Sequence, residues 1–323
     1  MQKIDPRNPE VEKRIQEALA DYKFERQHSQ EFFYKYTSAE TAKKVLTSSK
    51  FRYSSPLIFN DPFDNHAGMH IDFDIGDFVN LFFNRLEEIV LAPEDPVFED
   101  YNDYSKATMM MRAMRETHGF PKTRAIETMG PIVQSIADKM KETHEELTKS
   151  WERDIARMRM FCVSEEFDNI QMWSHYADYH KGVVIKLKVA ETAAEDDPLW
   201  LARRVNYIPK ALPLFGHARV DEILGIRKFE FNSLYDMFAY SKFDIWHSEK
   251  EWRFFNLENE PDELYYSDYE FRFDKIDTII FGCRCPEDDI AEIKRIALHK
   301  KNDIVFLKAI QHPYEYKLNF IQA

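Results

Sequence analysis

Glycine is scarce, with 8 in a chain of 323 residues. Loops that cradle phosphate need several glycines at fixed offsets, because only a backbone without Cβ approaches the anion closely. Neither GxxxxGK[ST] nor GxGxxG occurs, which excludes P-loop and dinucleotide-fold chemistry of the usual kind. The three cysteines, Cys162, Cys283 and Cys285, cannot all pair, and the last two lie too close for a usual disulfide framework. A reducing, cytoplasmic compartment is the expectation. No run of 18 apolar residues exists, so no membrane span is expected. The opening MQKIDPRNPEVEKR has no apolar stretch, so no signal peptide is expected either. Positive charge is in deficit: 44 Lys+Arg stand against 57 Asp+Glu, a formal net charge of -13. Such a balance does not build a general nucleic-acid clamp. It leaves nucleic acid only as a substrate met through a local basic patch.

Aromatic and aliphatic residues are plentiful. Apolar residues make up 44% and aromatics 15%, including 26 Phe and 16 Tyr, ample for a sizeable core. Periodicity predicts an amphipathic helix over 9–28, a strand over 32–36, and a helix over 38–47 behind a Thr37-x-x-Glu40 capping box. A strand follows at 51–54, then a turn-rich loop. Helices are predicted over 77–91, 104–117 and 123–158, with methionines 109, 110, 111, 114, 129 and 140 read as core filling. Further strands are expected at 158–164, 182–189, 204–208, 251–257, 270–273, 278–281, 304–307 and 314–320. Helices are expected at 170–179, 219–243 and 286–299. The sum is an α+β fold with a mixed or antiparallel sheet core. Its divisions are an N-terminal helix (1–30), a core (31–76 and 158–323) and a helical insertion (77–157).

Four stretches set polar and aromatic groups beside strand ends. In YKYTS (34–38) a strand meets a capped helix, whose free N–H groups suit an anionic or amide group. Lys35 and Tyr36 alternate there, so only one is expected to face a site. In FRYSSPLIFNDPFD (51–64), Asn60-Asp61-Pro62 reads first as a turn, with Asp61 or Asp64 as candidates for substrate hydroxyls or a metal. In FCVSEEFDNIQMWSHYADYHKG (161–182), His175 and His180 are spaced i, i+5, poor for two metal ligands on one helical face. In HSEKEWRFF (247–255), Glu249 and Glu251 project from one strand face and repel, which raises one pKa, and Arg253 shares that face. Cys162 reads as inert core, and no GxSxG occurs.

YKYTSAETAKKVL, YSSPLIFNDPFD, FCVSEEFDNIQMWSHYADYHKGVVI and SEKEWRFF resemble the signature blocks of an uncharacterised, mostly bacterial family, domain of unknown function 2971. The same blocks are similar, more distantly, to the ADP-ribosyltransferase fold, which opens on a strand reading roughly Y-H-G-T-S and closes on an E-x-E strand. Tyr34, Thr37, Ser38, Ser164, Tyr176 and Glu249-Lys250-Glu251 stand at matching places. Lys35 replaces His or Arg, and Tyr36 replaces glycine. The resemblance implies a split-sheet core and an enzyme that transfers ADP-ribose from NAD to an acceptor it does not name, with phage defence or a toxin role as context. It implies catalytic roles for Glu251, Glu249, Lys35 and Tyr176. Glu251 would meet the ribose, and Tyr176 or Trp173 would stack on the nicotinamide. The expected cofactor-binding set is Tyr36, Thr37, Ser38, Ser54, Asn60, Asp61, Ser164, Trp173 and His175, with no metal. Two rivals remain: a non-catalytic nucleotide-sensing module, and a metal-dependent nuclease using Asp61, Asp64, Glu249 and Glu251.

Overall fold

The computed structural model describes residues 28–65, 70–118, 122–190, 197–211, 213–228, 238–259 and 264–323. Of the helix expected over 9–28, all but His28 lies outside them. Strand β1 (Phe32–Thr37) runs into α1 (Ala39–Ser48), followed by β2 (Lys50–Ser54). The cap of α1 is Ser38, not Thr37: its Oγ accepts from the Thr41 amide. Glu40 accepts from Lys44 one turn on instead of reaching back. Helices α2 (Phe78–Leu91), α3 (Asp103–His118) and α4 (Lys122–Arg157) come next. Then follow β3 (Met158–Ser164), α5 (Ile170–Tyr176) and β4 (Val183–Lys188).

The helix expected over 219–243 is not continuous. Helix α6 is only Ala218–Ile223, and Gly225 takes φ +79°, a left-handed value that ends it. It is preceded by β5 (Arg203–Arg204) and β6 (Asn206–Ile208), and Ser241–Phe243 forms β7. A 3₁₀ stretch, Asp244–Glu249, leads into β8 (Glu251–Leu257). Strand β9 is Tyr266–Glu270, and Phe273 opens a 3₁₀ turn instead of closing a strand. The chain ends with β10 (Ile276–Phe281), α7 (Glu287–Lys300), β11 (Val305–Gln311) and β12 (Leu318–Gln322).

Ten strands form one sheet in the order β12-β11-β10-β4-β1-β3-β2-β9, with β8 beside β3 and β5 beside β8. Within this sheet pairing is antiparallel except between β10 and β11, which α7 connects in parallel, so the fold is α+β with a mixed sheet; β6 and β7 form a separate parallel pair. Strand β3 is the branch point. One edge pairs along its length with β8. The other edge is shared: β1 touches it only at Tyr34↔Ser164, and β2 only at Ser54↔Met160. Between these two bridges the sheet forks and a crevice opens.

Each strand puts alternate residues on opposite faces. Phe33, Phe161, Val163 and Trp252 join the main core with Ala42, Leu46 and Ile293 of α1 and α7. On the opposite face Tyr36 and Val184 pack against Met172 and Trp173 of α5. A separate apolar cluster binds α2 and α4, with Phe82, Phe83 and Leu86 against Val133 and Ala137, and Val220 of α6 joins it. Met111, Met129 and Met140 do face this cluster, but Met109, Met110 and Met114 point to solvent.

Candidate functional site

The crevice at the fork encloses about 170 Å³. Its lining includes Tyr34, Lys35 and Tyr36 of β1, Ser54 of β2, Cys162 and Ser164 of β3, and Tyr176 of α5. Asn60, Asp64, Lys242, Glu249 and Glu251 complete its polar wall, with Arg52 among the lining residues from β2. Both Lys35 and Tyr36 line it, although they leave opposite faces of β1. Lys35 extends into the fork, where its Nζ donates to the Cys162 carbonyl oxygen at 2.7 Å and lies over the Phe161 ring. The missing stretch of ladder is thus closed by a side-chain amine. Burial pushes the Lys35 amine below its usual range, with nearby charge opposing.

Beneath the crevice lies a buried ion cluster. Lys242 Nζ donates to Glu249 Oε2 at 2.6 Å and Glu251 Oε2 at 3.0 Å, with Asp64 3.6 Å away. Arg253, fully buried, donates to both oxygens of Glu251 at 2.8 and 3.0 Å. It also donates to both oxygens of Asp64 at 2.9 and 2.6 Å, and to the Ala239 carbonyl. Glu249 and Glu251 reach one cation because Lys250 between them is left-handed, φ 44°. The chain reverses there from 3₁₀ turn to strand, so the shared face expected of a continuous strand arises by a different route.

The two glutamates differ sharply. Burial pushes the Glu251 carboxyl up, but Arg253 and Lys242 outweigh it and hold it below the usual carboxylate range. For Glu249 burial wins: Lys242 pulls the value down, neighbouring Glu251 pushes up, and the net shift is upward. Three carboxylates face two cations here, and Glu249 is the acid with no arginine. Its Oε1 accepts from the Tyr176 hydroxyl at 2.8 Å. Burial likewise holds the Cys162 thiol in its protonated form, so it is no thiolate nucleophile despite lining the crevice.

The remaining candidates divide by position. Ser164 is buried, and its hydroxyl donates to the Glu249 carbonyl and accepts from the Glu166 amide, so it braces the loop. Tyr36 donates to the Glu166 carbonyl and packs edge-on to Trp173. Trp173 does not line the crevice: it is fully buried, with Nε1 bonded to the Phe167 carbonyl, and has no face for a ligand ring. His175 is exposed beside Trp246, in a neighbouring hollow. Thr37 and Ser38 are also outside the lining, Ser38 being spent on its helix cap. Asp61 closes its own turn through the Phe63 amide. Among the described residues no group of three or more His, Cys, Asp or Glu is arranged to hold a metal ion. Of the acids weighed for a nuclease, Asp64, Glu249 and Glu251 already face Lys242 or Arg253, and Asp61 is held in its own turn.

Sequence reading missed Lys242, which the expected helix over 219–243 had absorbed, and Arg52. A lysine within the largely apolar run FAYSKF was the available signal. Among the described residues no helix is long and apolar enough to cross a membrane. A family model described as a protein of unknown function, DUF2971, matches residues 172–254. That segment contains Tyr176, Lys242, Glu249, Glu251 and Arg253, the whole cluster except Asp64. No curated protein and no solved structure matches the chain.

Proposed function

We propose, from the crevice and ion cluster that the segment matching the DUF2971 model largely supplies, that this protein is an ADP-ribosyltransferase-like enzyme using NAD as donor. A hollow of 170 Å³ is smaller than the roughly 300–1,000 Å³ of pockets that enclose a whole drug-sized ligand. It suits the nicotinamide ring and part of its ribose, with the diphosphate and adenosine directed outward past Arg52. The aromatic wall at Tyr176 offers a face to the ring.

One observation carries this reading: Glu249 is a buried carboxyl on the crevice wall, fixed by Tyr176 and Lys242, with its pKa raised. When the glycosidic C–N bond breaks, its electron pair leaves with nicotinamide and positive charge develops on the ribose. A fixed carboxylate facing that carbon favours the transition state. Glu249 then takes the proton from the attacking water or acceptor, and a carboxylate made more basic by burial suits that task. Glu251, with both oxygens engaged, holds Lys242 and Arg253 in place and does not meet the ribose. Consumption of NAD in the cytoplasm fits a role in phage defence or as a toxin.

The test is nicotinamide release from labelled NAD by the purified protein, alone and with protein, RNA or DNA acceptors. Turnover that falls at least about 100-fold in Glu249→Gln is the expected outcome. A second reading, a nucleotide-sensing module without turnover, draws on the locked Glu251 and on the bulk of Tyr36. Calorimetry separates them: saturable NAD or ADP-ribose binding without nicotinamide release supports the sensor, and neither binding nor release defeats both.

A further inference from the structure

Strand β12 ends the ten-stranded sheet, and among the described residues no strand lies beyond it. Two bonds set the phase of its ladder with β11. The Ala323 amide donates to the Phe306 carbonyl and the His312 amide to the Lys317 carbonyl, each at 3.0 Å. An antiparallel ladder alternates bonded and non-bonded pairs, and here Lys308 faces Ile321 and Ala309 faces Phe320. Asn319 and Ile321 therefore bond to β11, while the N–H and C=O groups of Leu318, Phe320 and Gln322 point out of the sheet. The two ends of the sheet differ in charge. Strand β9 at the other end carries Asp268 and Glu270, the kind of guard that natural edges use against strand addition. Strand β12 reads LNFIQ, with no charge and no proline.

We propose that a second copy of this chain adds its own β12 here, antiparallel, across a two-fold axis at Phe320. Such a contact uses the same patch on both copies. Phe320 then lies opposite the other Phe320, Leu318 opposite Gln322, and Asn319 opposite Ile321. The outward groups of Leu318, Phe320 and Gln322 close about six main-chain hydrogen bonds. Charge names the occupant. Two copies of a chain with net charge -13 repel, so they meet best through neutral residues, and self-pairing sets any charge on a strand opposite or diagonal to its like. Strand β12 meets that condition and β9 does not. The register also covers apolar side chains on both faces. Phe320, half-buried with its ring edge-on to Phe167 at 4.9 Å, meets a second phenylalanine. On the other face Ile321, 49% exposed, lies diagonal to its own copy.

The test is sedimentation equilibrium of the full chain from about 1 to 100 μM, a range that brackets a micromolar dissociation constant for a small interface. Amide hydrogen exchange is read at both ends of the range. A reversible dimer is expected, with protection of the Leu318, Phe320 and Gln322 amides rising with concentration. Ile321→Lys changes an exposed side chain, sets two lysines diagonally across the axis, and weakens the dimer about tenfold. Gln322→Pro deletes an outward N–H without touching a bond to β11, and abolishes the dimer. Leu57→Lys, at an exposed apolar residue after β2, leaves it intact. A monomer across the whole range, a dimer indifferent to both β12 variants, or protection of these amides that is the same at both concentrations would overturn the proposal.

Discussion

Replacing Arg253 by Met tests whether the ion cluster is the mechanical centre of the crevice. Methionine keeps most of the volume and deletes the charge. Arg253 makes five hydrogen bonds, four of them to carboxylate oxygens of Glu251 and Asp64, from a fully buried position. Without it two buried acids share one lysine, which Glu249 also claims. Removing one partner from such a network costs about 3–5 kcal/mol, because the charges left behind remain out of water. Urea unfolding followed by tryptophan fluorescence at neutral pH measures the loss. A companion variant, Asp64→Asn/Glu251→Gln/Arg253→Met, removes the stranded charges and should regain most of it. Acid adds a check of sign. Glu251 is held below its usual range, so its stabilising contribution is present above the unfolded-state value and is lost as pH falls through the folded one. Arg253→Met frees Glu251 to rise, and the gap between wild type and variant narrows on acidification. A deficit under about 1 kcal/mol, or a triple variant no more stable than the single one, refutes the reasoning.

Tyr176→Phe deletes a hydrogen bond that favours the charged form of Glu249. Its pKa therefore rises further, and the acid limb of the pH–rate profile for NAD turnover moves to higher pH; an unmoved limb contradicts Glu249 as the base. Gly182→Ala should fail to fold or lose at least about 3 kcal/mol in urea unfolding, because its Cβ would lie 2.2 Å from the Thr37 carbonyl oxygen and 2.9 Å from the Ala177 backbone. Ser38→Ala removes the cap of α1 and should cost about 1 kcal/mol by the same assay, with NAD turnover unchanged, since Ser38 lies outside the crevice.

Local pattern was enough for the elements and not for their meeting points. The strand over 158–164 and the helices around 77–91 and 123–158 follow from runs whose apolar spacing has a single reading. Glu249 and Tyr176 were legible because acids and aromatics at strand ends are unusual enough to notice. Trp173 was misplaced because helical spacing does not say which face turns inward. Lys242 was lost because its strand, SKF, has only three residues, too short for periodicity to register, and follows an apolar-rich stretch. Asp64 pairs with Arg253 across 189 residues, a separation that no local pattern encodes. Thr37 yielded its capping role to Ser38 because T-x-x-E spacing leaves the first helical residue uncertain by one.

The sheet resembles two leaves hinged on a common spine. On one side β4, β10, β11 and β12 hang from β1, and on the other β9 hangs from β2, while β3 with β8 forms the backing. Each leaf joins that backing through a single main-chain residue pair, whereas β1–β4, β3–β8 and β2–β9 are continuous ladders. Compliance is therefore concentrated at the spine. A guest wider than the resting gap has to part the Ser54–Met160 pair, the Lys35 clasp, and the Tyr53–Phe161 and Arg159–Ser267 contacts, and every ladder within a leaf stays intact.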